Sequence, residues 1–109
     1  MQQHKGWSEE QIREAIRRTT PGVRDVLAYV AAHPGCLSSD IADELKLKSH
    51  RSVGPTLNGL TRTAKEMGAT DADGNVRWFF EWPGKVNGWD RYDFPDWVRR
   101  VVQDELGVR

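Results

Sequence analysis

The feature that most constrains the fold of this chain is an apolar stripe at helical spacing in its middle. Val53, Leu57, Leu60, Ala64 and Met67 follow one another by steps of four, three, four and three residues. At ~100° per residue these positions stay on one face of a helix for about four turns. The stripe therefore predicts a helix with one buried face.

A proline limits where this helix can begin. Pro55 inside a helix would lose a backbone hydrogen bond and clash with the preceding turn, but it is tolerated in the first turn. Ser52 is a favourable N-cap residue, so we predict a helix over about 52–67 with Pro55 in its first turn. A start at Ser49 would place the proline too far inside.

The opposite face of the predicted helix is polar and cationic. Arg51, Asn58, Arg62 and Lys65 fall within roughly 60° of one another on the helical wheel. From Lys46 to Lys65 the chain has five Lys or Arg residues and no Asp or Glu. The whole chain has 16 basic residues (Lys and Arg) and 16 acidic residues (Asp and Glu). This segment is the local positive field, and the remainder carries net negative charge.

A shorter helix and a tight turn precede the cationic segment. We expect Ser38 to cap this helix and Ile41, Ala42 and Leu45 to share its buried side. The polar stretch 46–49 is long enough only for a turn, in which Leu47 points back to the core. Helix, tight turn and a second helix with a cationic outer face form the arrangement that places the second helix in the major groove of DNA.

DNA contact is the role that we expect of this surface, with a solvated helix face as the alternative. Phosphates attract Lys and Arg, and Asn and Arg can make paired hydrogen bonds to base edges. Solvated faces usually interleave acids with bases, and this one does not. The predicted base-reading residues are Arg51, Asn58 and Arg62, and the predicted phosphate contacts are Lys46, Lys48, Lys65 and Lys85.

Two further helices are predicted towards the N-terminus, after a flexible segment 1–7. Ser8 and Gln11 have capping-box spacing and begin a helix to about Arg18, whose narrow apolar stripe suggests packing on the outside of the domain or against a second subunit. Thr20 as cap and Pro21 in the first position begin the next helix. Its predicted buried face is Val23, Val26, Leu27 and Val30, and it is predicted to end at His33-Pro34-Gly35. Leu37 is predicted to lie in a very short strand that follows.

The C-terminal part predicts a turn, a β-hairpin and a last helix. The stretch 71–75 resembles a calcium loop but lacks the length and the closing glutamate, so we interpret it as a turn. Strands are predicted over 76–82, with Trp78, Phe80 and Trp82 on one face, and over 89–94, with Tyr92 and Phe94 on one side. A last helix is predicted to begin with Asp93 as its cap and to end at Gly107. We expect it to lie across the hairpin and the first helix. Its apolar face is Trp97, Val98, Val101, Val102 and Leu106.

Composition limits the class of protein. A chain of 109 residues is expected to form one domain, 1–109, of the α+β class and mainly helical. A single cysteine, Cys36, excludes a disulfide framework and a cysteine-rich zinc site, and is expected in the core. No apolar run approaches the ~20 residues that span a bilayer, and the polar start is not a signal peptide, so a cytoplasmic protein is expected. No catalytic triad or phosphate-binding glycine loop is visible, so we expect no enzymatic activity and no cofactor.

Three helices followed by a two-stranded hairpin is the element order of a winged helix. The segment from about Thr20 to Phe94 resembles a winged helix-turn-helix DNA-binding domain, similar in element order to bacterial regulators of the multiple-antibiotic-resistance and arsenic-repressor types. It most resembles a group of uncharacterised actinobacterial proteins of this fold. The stretches that carry the resemblance are His33-Pro34-Gly35, 39–45, 51–54, 57–60, Ala64-Lys65 and 80–82.

The resemblance implies a transcription-regulator-like domain whose partner is double-stranded DNA. The second helix of the pair would read the major groove, and the hairpin wing would touch the backbone or the minor groove. The residues that the resemblance places towards DNA are Ser49, His50, Arg51, Ser52, Thr56, Asn58, Arg62 and Lys65, with Lys85 and Asn87 at the wing tip.

Two other functions and the oligomeric state stay open at this point. A winged helix can serve as a protein-interaction or assembly module, because the fold does not fix the partner. It could also read a modified DNA base if Trp82 or Trp89 of the wing stacked on that base. The N-terminal and C-terminal helices could each form a homodimer or complete the core of a monomer.

Overall fold

The computed structural model describes residues 3–4, 6–81, 85–86 and 89–108, with only the backbone described at 3, 4, 85, 86, 89 and 90. The chain is α+β and mainly helical, as predicted. It also contains a 3₁₀ turn, His50–Ser52. In chain order the elements are β1 (Gln3–His4), β2 (Trp7–Ser8), α1 (Glu9–Arg18), α2 (Pro21–Ala32), β3 (Cys36–Leu37), α3 (Ser38–Glu44), α4 (Val53–Thr56), α5 (Asn58–Glu66), β4 (Lys85–Val86), β5 (Trp89–Tyr92) and α6 (Asp96–Leu106).

A three-stranded antiparallel sheet connects the helices to the hairpin. Its strand order is β3-β5-β4, so the first strand of the sheet in sequence pairs with the last. Cys36 lies opposite Tyr92, and Lys85 lies opposite Asp90. The short strand predicted at Leu37 is confirmed, and it ties the hairpin to the segment between α2 and α3.

Local capping fixes the starts of the first two helices as predicted. The Ser8 hydroxyl accepts a hydrogen bond from the Gln11 amide at 3.2 Å, and the Gln11 side chain accepts one from the Ser8 amide at 3.0 Å. Thr20 caps α2, and Pro21 stands in its first turn. These bonds satisfy amides that have no partner within the helix.

One part of the core is formed where α6 packs against α1 and α2. Ile12, Ala15 and Ile16 of α1 are buried inside it, so the narrow stripe of α1 is covered by its own chain. The expectation that α6 crosses α1 is confirmed, but its other main neighbour is α2 rather than the hairpin. The predicted inner face of α2 (Val23, Val26, Leu27, Val30) is buried, as are Val98, Val101 and Val102 of α6.

The prediction of a flexible segment 1–7 is wrong at Trp7. This side chain is 1% exposed, and its indole Nε1 donates a hydrogen bond to the Arg77 carbonyl at 2.6 Å. Its ring meets Phe79 edge to face, with centroids 5.1 Å apart. Met1, Gln2 and Lys5 lie outside the described residues.

The strand predicted over 76–82 is wrong. Only single bridges form at its ends, Thr70 with Val76 and Glu81 with Asp93. Successive side chains of a strand point to opposite faces, yet Phe79 and Phe80 are both fully buried. The need to bury both rings overrides the alternation that the sequence suggests, and Trp82 lies outside the described residues.

Two predicted helix caps are also wrong. Ser38 is the first residue of α3, and the Asp40 carboxylate accepts the Leu37 amide at 3.0 Å in place of a serine cap. Asp93 does not cap α6; its carboxylate instead accepts the Phe94 amide at 2.7 Å. At the other end of α6, Gly107 adopts the left-handed conformation and ends the helix as predicted.

The stretch 71–75 is a turn, as expected. The Asp71 carboxylate accepts hydrogen bonds from the amides of Asp73 and Asn75, and Gly74 has φ +82°.

Within the described residues, no helix is both long and apolar enough to cross a lipid bilayer.

Candidate nucleic-acid interface

The turn between α3 and the cationic segment is closed by backbone hydrogen bonds. The Leu47 amide donates to the Ala42 carbonyl at 2.9 Å, and the Lys46 amide donates to the Asp43 carbonyl at 3.3 Å. This pair of bonds is the Schellman motif, which requires a left-handed residue between the helix and the following chain. Lys46 fills that position with φ +57°, and Leu47 packs against the core as predicted.

The predicted continuous helix over 52–67 is wrong, because the segment is broken into three helical pieces. The 3₁₀ turn His50–Ser52 leads into α4, and α5 begins only after Leu57. Pro55 has no N–H to donate, so it fits the first turn of α4, but an α-helix that began at Ser49 could not pass through it with regular bonding. Leu57 then shares its amide between the carbonyls of Val53 and Gly54, at 3.1 and 3.0 Å.

Ser52 stands at the N-cap position of α4 with Pro55 in the first turn, as predicted, but its side chain makes no capping bond. Ser49 caps instead, and its hydroxyl accepts the Arg51 amide at 3.2 Å. A 3₁₀ turn thus begins at His50, with the extended residue Ser49 as its cap, because a 3₁₀ turn can precede the proline where an α-helix cannot. The Ser52 carbonyl accepts the Thr56 hydroxyl at 2.8 Å.

The inner face of the segment is the one that the sequence predicts. Val53, Leu57, Leu60 and Ala64 are buried, and Met67 is half-buried against the core. Breaking the helix at Leu57 does not disturb the stripe, because α4 and α5 both keep it turned inward.

A glycine allows α5 to approach the start of α2, which sequence reasoning missed. A Cβ atom on Gly59 would lie 2.8 Å from Thr20 Oγ1 and 3.1 Å from a Val23 methyl group. A glycine inside a predicted helix was the available signal, because such a residue often marks a close approach. Gly54 differs, since a Cβ there would meet nothing within 4 Å.

The outer face carries the predicted contact residues at the surface. We call Lys46, Lys48, Arg51, Arg62 and Lys65 the cationic ridge. All five are exposed, and in the part of the chain that the structure describes none of them forms an ion pair. Ser49 and Asn58 are also exposed, whereas His50, Ser52 and Thr56 are half-buried.

Several arginines elsewhere in the chain are held by carboxylates. Arg17 and Arg13 both contact Glu105, at 2.6 and 3.0 Å, and their hydrogen bonds hold the pKa of that carboxyl below its ordinary value, the bond from Arg17 contributing most. Further ion pairs join Arg13 to Glu9 and Asp104, Arg18 to Glu66, and Arg99 to Asp93 and Asp96. Glu66, the acid next to the ridge, is thus bound by a residue of α1.

The two wing residues cannot be placed beside the ridge. Lys85 lies in β4, where its side chain is not described, and Asn87 lies outside the described residues. Trp89 is described only as backbone in β5. The predicted contacts of Lys85 and Asn87, and of a wing tryptophan with a base, stay predictions.

Two observations on the described residues concern metal binding and thiol chemistry. Among them, no three His, Cys, Asp or Glu side chains lie close enough to hold a metal ion. Cys36 is buried, as predicted, and its burial raises the pKa of its thiol to about 12. The geometry of the ridge suits attraction of a polyanion, because unpaired cations at the surface keep their charge available to a partner.

Comparisons of this chain with protein families, with curated proteins and with solved structures find no match. A function is therefore inferred from the chain's own residues.

Proposed function

We propose that this chain is a winged helix-turn-helix DNA-binding domain of the transcription-regulator type. In this proposal, the 3₁₀ turn, α4 and α5 enter the major groove, and the hairpin of β4 and β5 touches the DNA backbone or the minor groove. The protein acts in the cytoplasm of a bacterial cell, where its target DNA is.

One observation carries this proposal: five exposed, unpaired cations follow one another along the segment from Lys46 to Lys65, whereas four of the arginines elsewhere are paired with carboxylates. Arg13, Arg17, Arg18 and Arg99 each contact a carboxylate within 3.2 Å. Pairing neutralises those charges locally, whereas the ridge keeps its full positive charge in a protein of zero net charge. Charge concentrated on one face is the expected footprint of a domain that contacts phosphates.

The order of the elements supports the winged-helix part of the proposal. A helix, a tight turn and a second helical segment are followed by an antiparallel hairpin. Pairing of β3 with β5 fixes the hairpin to the start of α3. The hairpin and the helix pair are therefore parts of one framework, as two elements that touch the same duplex must be.

The side chains divide into base-reading and backbone-contacting groups. Arg51, Asn58 and Arg62 can form paired hydrogen bonds to guanine or adenine edges. Phosphate contacts are assigned to Lys46, Lys48, Lys65 and Lys85. Four phosphate contacts would make the logarithm of the binding constant fall with the logarithm of salt concentration with a slope of about −3 to −4.

Selection of bound sequences from a random duplex pool, followed by gel-shift titration, tests the proposal. We expect a recurring motif, and Arg62→Ala should weaken binding to it by ~1–3 kcal/mol while changing scrambled duplexes less. Lys65→Ala should weaken binding to all sequences alike. Arg100→Ala is the matched control, since Arg100 is an exposed arginine of α6.

Two results would contradict this assignment. If no duplex binds more tightly than heparin-competed background, the DNA-binding function is wrong. If the Arg62→Ala and Arg100→Ala proteins bind the selected motif equally well, DNA binding survives but the ridge is not the surface that reads it.

A further inference from the structure

A shallow groove lies between the outer faces of α2 and α3, and none of its lining residues belongs to the cationic ridge. It has a volume of about 250 Å³, the space of roughly eight water molecules at about 30 Å³ each. Its apolar surface comes from Ala28, Tyr29 and Ala32 of α2 and from Leu45 at the end of α3. This is enough room for one long side chain with an extended stem.

Carboxylates rim the groove. Asp25 stands on the α2 side and Glu44 on the α3 side, and both side chains are exposed. Asp43 lies next to Glu44 on α3. None of these three acids forms an ion pair with another described residue, so the rim keeps its negative charge.

The negative field also reaches the tyrosine that forms one wall of the groove. Burial raises the pKa of the Tyr29 hydroxyl, and the charges of Asp40, Glu44 and Asp43 raise it further. Asp40 itself is held by the Leu37 amide at 3.0 Å. Of the two carboxylates that line the groove, Glu44 is therefore close enough to act on a group inside it.

Two aromatic rings form a preformed wall. The rings of Tyr29 and His33 lie with their centroids 4.3 Å apart and their planes at 34°. A planar cation can lie against such a wall, and guanidinium does so more readily than ammonium because it is delocalised and more weakly hydrated. A long side chain would also cover apolar surface with its methylene stem.

We propose that this groove docks an arginine-bearing segment of a partner protein. The guanidinium lies against Tyr29 between the carboxylates of Asp25 and Glu44, and its stem covers Ala28 and Ala32. The charge of the groove selects this occupant, since the same carboxylates repel the phosphates of a nucleic acid. This proposal does not depend on DNA binding, because the two surfaces share no residue.

The probe is a short capped peptide, acetyl-Ala-Leu-Arg-Leu-Ala-amide, titrated into the ¹⁵N-labelled full chain and followed by NMR chemical shifts. We expect saturable shifts at the amides of Tyr29, Ala32 and Leu45. The same peptide with citrulline in place of arginine keeps the shape and loses the charge, and it should bind about tenfold more weakly. The lysine peptide should fall between the two, because ammonium does not lie flat on a ring.

Matched variants locate the binding site on the protein. Asp25→Asn combined with Glu44→Gln should weaken the arginine peptide about tenfold. Glu10→Gln combined with Glu14→Gln removes two exposed carboxylates of α1 and should leave its affinity unchanged. Circular dichroism of each variant checks that the fold is kept.

Three outcomes overturn the proposal. One is equal binding of the arginine and citrulline peptides, and another is equal weakening by the α1 control. The third is absence of saturable shifts in the groove up to about 5 mM peptide, a concentration that would detect even very weak affinity. Gel-shift titration of the Asp25→Asn/Glu44→Gln protein separates this failure from a failure of DNA binding, since DNA affinity should not decrease in that variant.

Discussion

Replacing Lys46 by glycine should make the protein more stable and weaken its proposed DNA binding. A left-handed conformation costs a residue with a Cβ atom about 1–2 kcal/mol, and glycine avoids this cost. Glycine also makes the unfolded chain more flexible, which offsets about 0.5–1 kcal/mol of that gain. We therefore expect Lys46→Gly to raise the free energy of unfolding by about 0.5–1 kcal/mol.

The chain itself provides the comparison that motivates this prediction. Helix α5 ends in the same motif as α3, with the Ala69 amide donating to the Ala64 carbonyl at 2.9 Å and the Gly68 amide donating to the Lys65 carbonyl at 3.1 Å. There the left-handed position is a glycine, Gly68, with φ +74°. A lysine at the equivalent position after α3 costs stability, and a contact to a ligand such as DNA phosphate would explain why it is there.

Urea unfolding and gel-shift titration measure the two effects. The expected gain in stability raises the Tm by about 2–4 °C for a domain of this size. Loss of one phosphate contact should make the salt dependence of DNA binding shallower by about 0.9. Lys48→Gly is the control: Lys48 is exposed in the same turn without a positive φ, so it should lose the same salt dependence and become less stable.

The reasoning is refuted if Lys46→Gly is no more stable than the native chain, because the left-handed backbone would then carry no cost at this position. It is refuted on the functional side if Lys46→Gly binds DNA as tightly as the native chain and with the same salt dependence.

Three further predictions follow from the packing and the charges. Gly59→Ala should lower the free energy of unfolding by about 1–3 kcal/mol, because its Cβ would lie 2.8 Å from Thr20 Oγ1; urea unfolding tests this, and an unchanged free energy of unfolding contradicts it. Cys36 is buried and the pKa of its thiol is raised to about 12, so at pH 8 it should react with a disulfide reagent only when the fold opens. The reaction rate should therefore rise with urea well below the unfolding midpoint, and a rate equal to that of a free thiol contradicts this. The lowered pKa of Glu105 contributes stability that is present above about pH 4.3 and lost as the pH falls through the folded-state pKa. Glu105→Gln should therefore make the free energy of unfolding fall less steeply at acid pH. An unchanged slope in that pH range contradicts this.

Sequence patterns predicted the features that depend on nearby residues. The capping box of Ser8 and Gln11, the Thr20 cap and the Gly107 helix end each involve residues a few positions apart. The apolar stripe of α4 and α5 was also predictable, since periodicity reports which face is buried whether or not the helix is continuous.

The predictions that were wrong concern features in which contacts with distant parts of the chain override the local preference of the sequence. Phe79 and Phe80 are both drawn into the core, stacked with Phe94 at centroid distances of 6.1 and 4.9 Å. No strand can do this with adjacent residues. Asp93 is removed from its predicted cap because Arg99 binds it at 2.6 Å, a contact that only the folded arrangement creates.

The break at Leu57 changes what the proposed recognition surface can present. In a continuous helix, Arg51 and Arg62 would share one ridge at fixed spacing, but here the 3₁₀ turn and α5 set their directions separately. Between them stand Gly54 and Pro55, both exposed, which offer backbone and ring rather than long polar side chains. Such a surface can lie close to the bases in the middle while the two arginines reach to either side. A selected DNA motif should therefore have two guanine-containing positions separated by base pairs with little sequence preference apart from the adenine that Asn58 can read, and a motif with its strongest preference at the centre would show that the segment binds as one straight helix.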